Sequence, residues 1–424
     1  MQILIKEVTL VIPGSSDSGS VRDVFIKDGI IQKIETAGSL SIPDAQVIDG
    51  KNKFLSSGWF DLHVNFREPG FEHKEDLNSG CKAAMQGGFT GVLCMPSTFP
   101  PVHSKSEVEY ILNKAKNELV EVHVAGTLSH NQEGKDLSEM FDMSTAGARA
   151  FTDDKHSVQD AGLMTRALLY AKNFGGRVFS FADDTSISVK GQMNEGITST
   201  FLGLKGIPSL AEEVMISRDL QLTQYTESSI HFSTVSTKTA IDLIRQAKKN
   251  GIKVTADVSA LHLSMDDSSL ADFDTILKIK PPLRSKEDID AMIGGLKDGT
   301  ISAICSDHCP EDPENKVKEF DLAAFGAAGL ETAFAVAYGA LRGKLDLDSI
   351  IDKFTNGPRR ILGLPELKLK VGEAANLTLF DPKMEWTAND STLKSKSRNN
   401  PFAGKQLNGK AIAVINKNQI NFCS

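Results

Sequence analysis

The chain opens with short segments in which apolar and polar residues alternate: Gln2 to Ile12, Val21 to Lys27, Ile30 to Ile34 and Ala45 to Asp49. Alternation with period two marks strands that bury one face. Pro13-Gly14-Ser15-Ser16 and Lys27-Asp28-Gly29 lie between them and supply turn chemistry. The same texture returns towards the other end, at Ala375 to Asp381 and Gly409 to Ile415. Between these ends the pattern changes. Apolar runs fall at Gly58 to Phe66, Gly91 to Met95, Glu121 to Leu128, Ala146 to Thr152, Arg177 to Ala182, Ser229 to Val235, Lys253 to Val258 and Ile301 to Cys305. Amphipathic stretches of helical period separate most of them, among them Lys105 to Asn117, Lys238 to Asn250 and Lys286 to Lys297.

Eight strand–helix units over roughly 300 residues predict a (β/α)8 TIM-type barrel spanning residues 57–363. A doubly wound open sheet is the alternative. The two alternating ends, residues 1–56 and 364–424, are expected to combine into one small β-sandwich domain, because chain termini often lie close together. Neither a dinucleotide fingerprint nor a P-loop occurs. The polar loop Glu311 to Glu319, which holds Pro313, is expected to be a mobile lid.

Composition narrows the function classes. Hydrophobic residues make up 40% and charged residues 24%, an ordinary balance for a globular protein, and the formal net charge is −8. An acidic chain without basic clusters is not expected to bind nucleic acid or anionic membrane. No run reaches the roughly 18 apolar residues of a membrane span, and a cytoplasmic location is expected. The five cysteines form no zinc-type pair of Cys-x-x-Cys motifs and read as free thiols, Cys305 and Cys309 included.

In a barrel, chemistry sits where strands end. The first strand supplies Asp61, His63, Asn65 and Arg67. Later strands end at Ser97, at Thr152-Asp153-Asp154, at Phe181-Ala182-Asp183-Asp184, at Thr234-Val235-Ser236 and at Ser306-Asp307-His308-Cys309-Pro310-Glu311. Alternate strand residues share a face, so His-x-His at a strand end would let two imidazoles grip one cation. Here Asn65 stands in the second position, and an amide oxygen is a weak ligand for zinc.

These stretches, with Lys280-Pro281-Pro282-Leu283-Arg284-Ser285, Phe325 to Thr332 and Ser397 to Phe402, resemble in order and spacing the bacterial dihydroorotases of the amidohydrolase superfamily. The resemblance spans nearly the whole chain. It implies an amidohydrolase barrel whose active members open or close the dihydroorotate ring with a dinuclear zinc centre, in pyrimidine biosynthesis. It implies metal ligands at His63, residue 65, the Asp153/Asp154 pair (Asp154 by spacing), residue 181, residue 234 and Asp307, the last also as general base. This chain keeps His63, Asp153, Asp154 and Asp307, but carries Asn65, Phe181 and Thr234 at three of the four imidazole positions. On the substrate side Arg67 remains, while Ser97 and Glu311 stand where the resemblance implies an Asn and a His.

Several of these residues also have purely structural readings. His63 and His231 could be satisfied core histidines, Arg67 could pair with Glu68 or Asp61, and the Asp153-Asp154 and Asp183-Asp184 pairs could cap helices or face solvent. The substitutions predict no resident cofactor: a dinuclear zinc site is not expected, and at most a single divalent ion would be held weakly. The leading expectation is a non-catalytic dihydroorotase-like protein of pyrimidine biosynthesis that supports aspartate carbamoyltransferase, as some inactive members do, and that forms a homo-oligomer. Two alternatives stay open: an active dihydroorotase or related cyclic amidohydrolase with a mononuclear site, and a sensor that binds a pyrimidine intermediate through Arg67 without reacting.

Overall fold

The computed structural model describes all of residues 1–424. Five strands lead the chain: β1 (Gln2–Val11), β2 (Val21–Lys27), β3 (Ile30–Thr36), β4 (Gln46–Asp49) and β5 (Phe54–Ser57). Three close it: β16 (Leu377–Thr387), β17 (Gln406–Asn416) and β18 (Gln419–Phe422). Together they form one eight-stranded sheet ordered β18-β17-β16-β5-β1-β2-β3, with β4 pairing β1. The alternation in sequence becomes a private core of Ile3, Ile5, Val24, Ile26, Leu377, Leu379, Ala413 and Ile415. The two chain ends thus solve one burial problem jointly, because neither set of strands has enough apolar face to stand alone.

The intervening segment holds β6 (Trp59–Val64), β7 (Phe89–Cys94), β8 (Glu121–Gly126), β9 (Ala150–Phe151), β10 (Val178–Ser180), β13 (Ser229–Phe232), β14 (Lys253–Ser259) and β15 (Ala303–Cys305). A small parallel pair, β11 (Met193–Asn194) and β12 (Gly206–Ile207), lies outside this set. The eight barrel strands are parallel neighbours in chain order from β6 to β15. Closure comes at the ends: Asn65 N donates to His308 O (2.8 Å) and His308 N to His63 O (3.2 Å). The Asp61 carboxylate reinforces the seam by accepting from His63 N (2.9 Å) and Ser306 N (2.8 Å). The architecture is therefore the expected barrel rather than the open sheet.

Helices with built caps lie between the strands. The helix Lys105–Lys114 starts at a Ser104/Glu107 capping box, and Lys238–Lys249 starts under the Thr237 side chain. Two local expectations are corrected. The fourth strand is confined to Ala150–Phe151, while Met140–Ala146 is a helix ended by left-handed Gly147. The loop Glu311 to Glu319 is not a free lid: Asp312 caps a short helix, Pro313–Lys316, and the buried Lys316 ammonium donates to Ala324 O and Gly326 O (both 2.9 Å). Polarity in sequence did not show that these charges turn inward.

Barrel and terminal sheet are joined by an aromatic cluster. Trp59 is fully buried and packs on Phe89, Phe334, Phe354 and Phe380, with ring centroids 4.4–6.1 Å apart. At the barrel's opposite end from the strand-end loops, Glu121 accepts from Arg359 and Asn376 (each 3.3 Å). Burial pushes the Glu121 carboxyl up, but His123 and Arg359 outweigh it and hold it at about 2. A depressed carboxyl contributes stability that is fully present above its ordinary pKa and is lost as pH falls through the depressed value. Glu121→Gln is therefore expected to cost about 1–2 kcal/mol at pH 7, allowing for solvent screening of a partly exposed pair. The difference should fade between pH 4.5 and 2 in denaturant unfolding measured across pH. A pH-independent difference would contradict this role.

Candidate functional site

The strand ends converge on a cavity of about 280 Å3 whose lining includes Arg67, Ser97, Asp154, Lys155, Ser306, Asp307, Cys309 and Glu311. Four residues at its rim or floor have left-handed backbones although none is glycine: Arg67 (φ 61°), Asp154 (φ 52°), Thr234 (φ 53°) and Asp307 (φ 52°). Each costs on the order of 1 kcal/mol or more, and such strain gathers where a fold aims side chains at a site.

His63 leaves β6 and places Nε2 2.8 Å from Asp154 Oδ1 and 3.5 Å from Asp307 Oδ1. The other Asp154 oxygen accepts from Ser97 Oγ at 2.6 Å, and Ser97 is in turn held by Gln132 Nε2 at 3.2 Å. Asp307 Oδ1 meets Lys155 Nζ at 2.9 Å. Lys155 also reaches Thr234 Oγ1 at 3.3 Å and lies 4.7 Å from the centre of the Phe181 ring. A basic residue that the strand-end inventory passed over is thus central. Its only signal in sequence is a lysine directly after the Asp153-Asp154 pair.

Electrostatics follow from these contacts. Burial would raise Asp154, but His63 and Lys155 hold its carboxyl well below the usual range. Burial and the Lys155 charge push His63 down, yet Asp307 and Asp154 more than offset them and leave the imidazole above its ordinary value. Lys155 is likewise penalised by burial and then raised by Asp307 and Asp154. The pocket floor therefore sets two carboxylates against one ammonium and one imidazole.

The candidate residues sort clearly. Asp154 is in the pocket, whereas Asp153, offered as a ligand alongside it, is not. Its carboxylate accepts from Leu128 N (2.8 Å), Ser129 N (2.9 Å) and the Ser129 hydroxyl, so it fastens the loop after β8. Burial pushes it up to about 6 despite those donors. Asn65 is buried with both amide atoms unpartnered. Phe181 presents its ring, and Thr234 its hydroxyl, to Lys155.

Arg67 pairs with neither Glu68 nor Asp61. It binds Glu311 Oε1 at 2.8 Å, Cys309 Sγ at 3.1 Å and Pro310 O at 3.2 Å. Glu311 also takes Lys74 at 2.7 Å. His231 is structural, held by Asp257 and Thr255 (both 2.9 Å) and packed against Phe179, with the rings tilted by 48°. Asp183, read as capping or solvated, is instead buried and paired with Lys280 at 2.6 Å. His308 turns away from the pocket to Glu75, 3.5 Å off. Burial pushes the Cys305 and Cys309 thiols up, as inert thiols require.

The donor set at the floor is one imidazole and two carboxylates. His63 Nε2 lies 2.8 Å from an Asp154 oxygen and 3.5 Å from an Asp307 oxygen, and Lys155 Nζ already occupies the Asp307 carboxylate. Phe181 has no donor atom.

A family model described as dihydro-orotase-like matches residues 52–240. A dihydroorotase of Acetivibrio thermocellus is 40% identical over 99% of this chain and 98% of its own length. One from Pelotomaculum thermopropionicum is 42% identical over 98% and 97%. The chain belongs to the dihydroorotase family. Solved structures share the fold: the L-hydantoinase (dihydropyrimidinase) of Arthrobacter aurescens superposes with TM-score 0.84 at 23% identity, covering 99% of this chain and 95% of that one. The dihydropyrimidinase of Brevibacillus agri gives 0.82 at 21%, with the same coverage.

Within this pocket Glu311 occupies the Arg67 guanidinium. Dihydroorotate is therefore expected to bind poorly, and Glu311→Gln to improve its affinity about tenfold, a gain of about 1.4 kcal/mol, by calorimetry. Equal affinities would show that Arg67 is not the limiting contact.

Proposed function

We propose that this chain is a non-catalytic dihydroorotase-like protein of pyrimidine biosynthesis that acts as a structural partner of aspartate carbamoyltransferase. The observation that carries the reading is the engagement of His63, Asp154 and Asp307 with one another and with Lys155. A metal ion lowers the pKa of bound water from 15.7 to about 7. Without it Asp307 would have to assist nearly ordinary water. General base help gives roughly 10²–10⁴-fold, short of the 10⁶-fold or more of a typical enzyme. Asp307 is moreover paired with the Lys155 ammonium at 2.9 Å.

The partnership rests on an intact barrel and on exposed apolar side chains of the kind interfaces use. Ile197, Phe201 and Tyr225 are 91%, 87% and 80% exposed. No helix is long and apolar enough to cross a membrane. A second reading, an active dihydroorotase with a mononuclear site, draws on the roughly 40% identity to dihydroorotases and on the retained His63, Asp154 and Asp307. The sensor reading loses ground because Glu311 already holds Arg67.

The deciding experiment is a dihydroorotate assay in both directions with elemental analysis, on protein incubated with zinc, manganese or cobalt. Turnover at background is expected. Metal-dependent turnover would establish the second reading. Co-purification with the transferase from the source cell is expected as well, and repeated failure to associate would remove the scaffold role.

A further inference from the structure

The positions that family resemblance assigns to metal ligands are not simply lost; they share a new centre. Phe181, Thr234 and Asp307 lie just after β10, β13 and β15, far apart in sequence. All three direct their side chains at one atom, Lys155 Nζ: Asp307 at 2.9 Å, Thr234 at 3.3 Å and the Phe181 ring at 4.7 Å. Each offers what an ammonium accepts, namely a carboxylate, a hydroxyl oxygen and an aromatic face. A phenyl ring is useless to a divalent ion, yet it is a good neighbour for a tethered monovalent cation. Lys280 Nζ also approaches the same ring, at 5.9 Å from its centre.

We propose that the Lys155 ammonium is a resident, covalently tethered cation that takes the place of a divalent metal in this pocket. It neutralises Asp307 directly, while His63 bridges the two carboxylates. Two buried carboxylates facing one cavity would repel each other without such a charge. Asn65, Phe181 and Thr234 then cease to be separate losses, because an ammonium of fixed reach needs no further nitrogen ligands. Being tethered, it requires no ion from solution and leaves no open coordination position for water. This deepens the non-catalytic reading and rests on it.

The test compares the full-length wild type with Lys155→Ala and Lys155→Arg by thermal melting after chelator treatment, with and without millimolar Mn2+ or Mg2+. Lys155→Ala should melt lower than wild type and recover by about 4 °C or more when the divalent ion is added. Wild type and Lys155→Arg should hardly respond. Lys155→Ala as stable as wild type without metal, or unresponsive to the ions, would overturn the substitution. If Lys155→Ala fails to fold, calorimetric titration of chelator-treated wild type with Mn2+ and Zn2+ decides. No stoichiometric binding is expected there, and micromolar binding of one or two equivalents would overturn the proposal. Turnover of dihydroorotate by the wild type would instead sink the non-catalytic reading, and the metal response of Lys155→Ala would still report on the ammonium.

Discussion

Two carboxylates, Asp154 and Asp307, are buried on the floor of a barrel and must be met by positive charge. This constraint organises the site. An uncompensated buried carboxylate is costly enough that it would either bind a proton or disrupt its surroundings. Here compensation comes from within the chain, through His63 against Asp154 and Lys155 against Asp307. The rest of the pocket conforms: Ser97 satisfies the second oxygen of Asp154, and Thr234 and Phe181 wrap the ammonium. A second closed unit, Arg67–Glu311–Lys74, neutralises the rim in the same way.

The barrel makes this arrangement possible without being specific to it. Strands β6 to β15 bring residues separated by more than two hundred positions to one rim, and left-handed turns at Arg67, Asp154, Thr234 and Asp307 aim them inward. The aromatic cluster around Trp59 and the composite sheet of the chain ends are packed separately from the pocket floor. Fold and chemistry are thus separable.

Much of this was legible in the chain. Period-two alternation located the terminal sheet, and strand–helix alternation located all eight barrel strands, with β9 placed too early because the helix Met140–Ala146 precedes it. Residues at strand ends were legible for the same reason, since the period of a strand fixes which of them face inward. What stayed hidden were pairings across the barrel. Nothing adjacent to Lys155 in sequence announces that Thr234, Phe181 and Asp307 will surround it. Nothing near Asp153 says that the loop after β8 will claim it. The Glu311 loop looked free because its charges are polar in sequence, yet Arg67, Lys74 and the buried Lys316 pin it through contacts that only the closed barrel creates.

The most direct measurement is X-ray diffraction at the zinc absorption edge from crystals of the wild-type protein grown in excess zinc. The account predicts no anomalous peak among His63, Asp154 and Asp307, with the Lys155 side chain continuous up to Asp307. Two strong peaks there, joined by a bridging oxygen and with Lys155 swung out of the pocket, would contradict it.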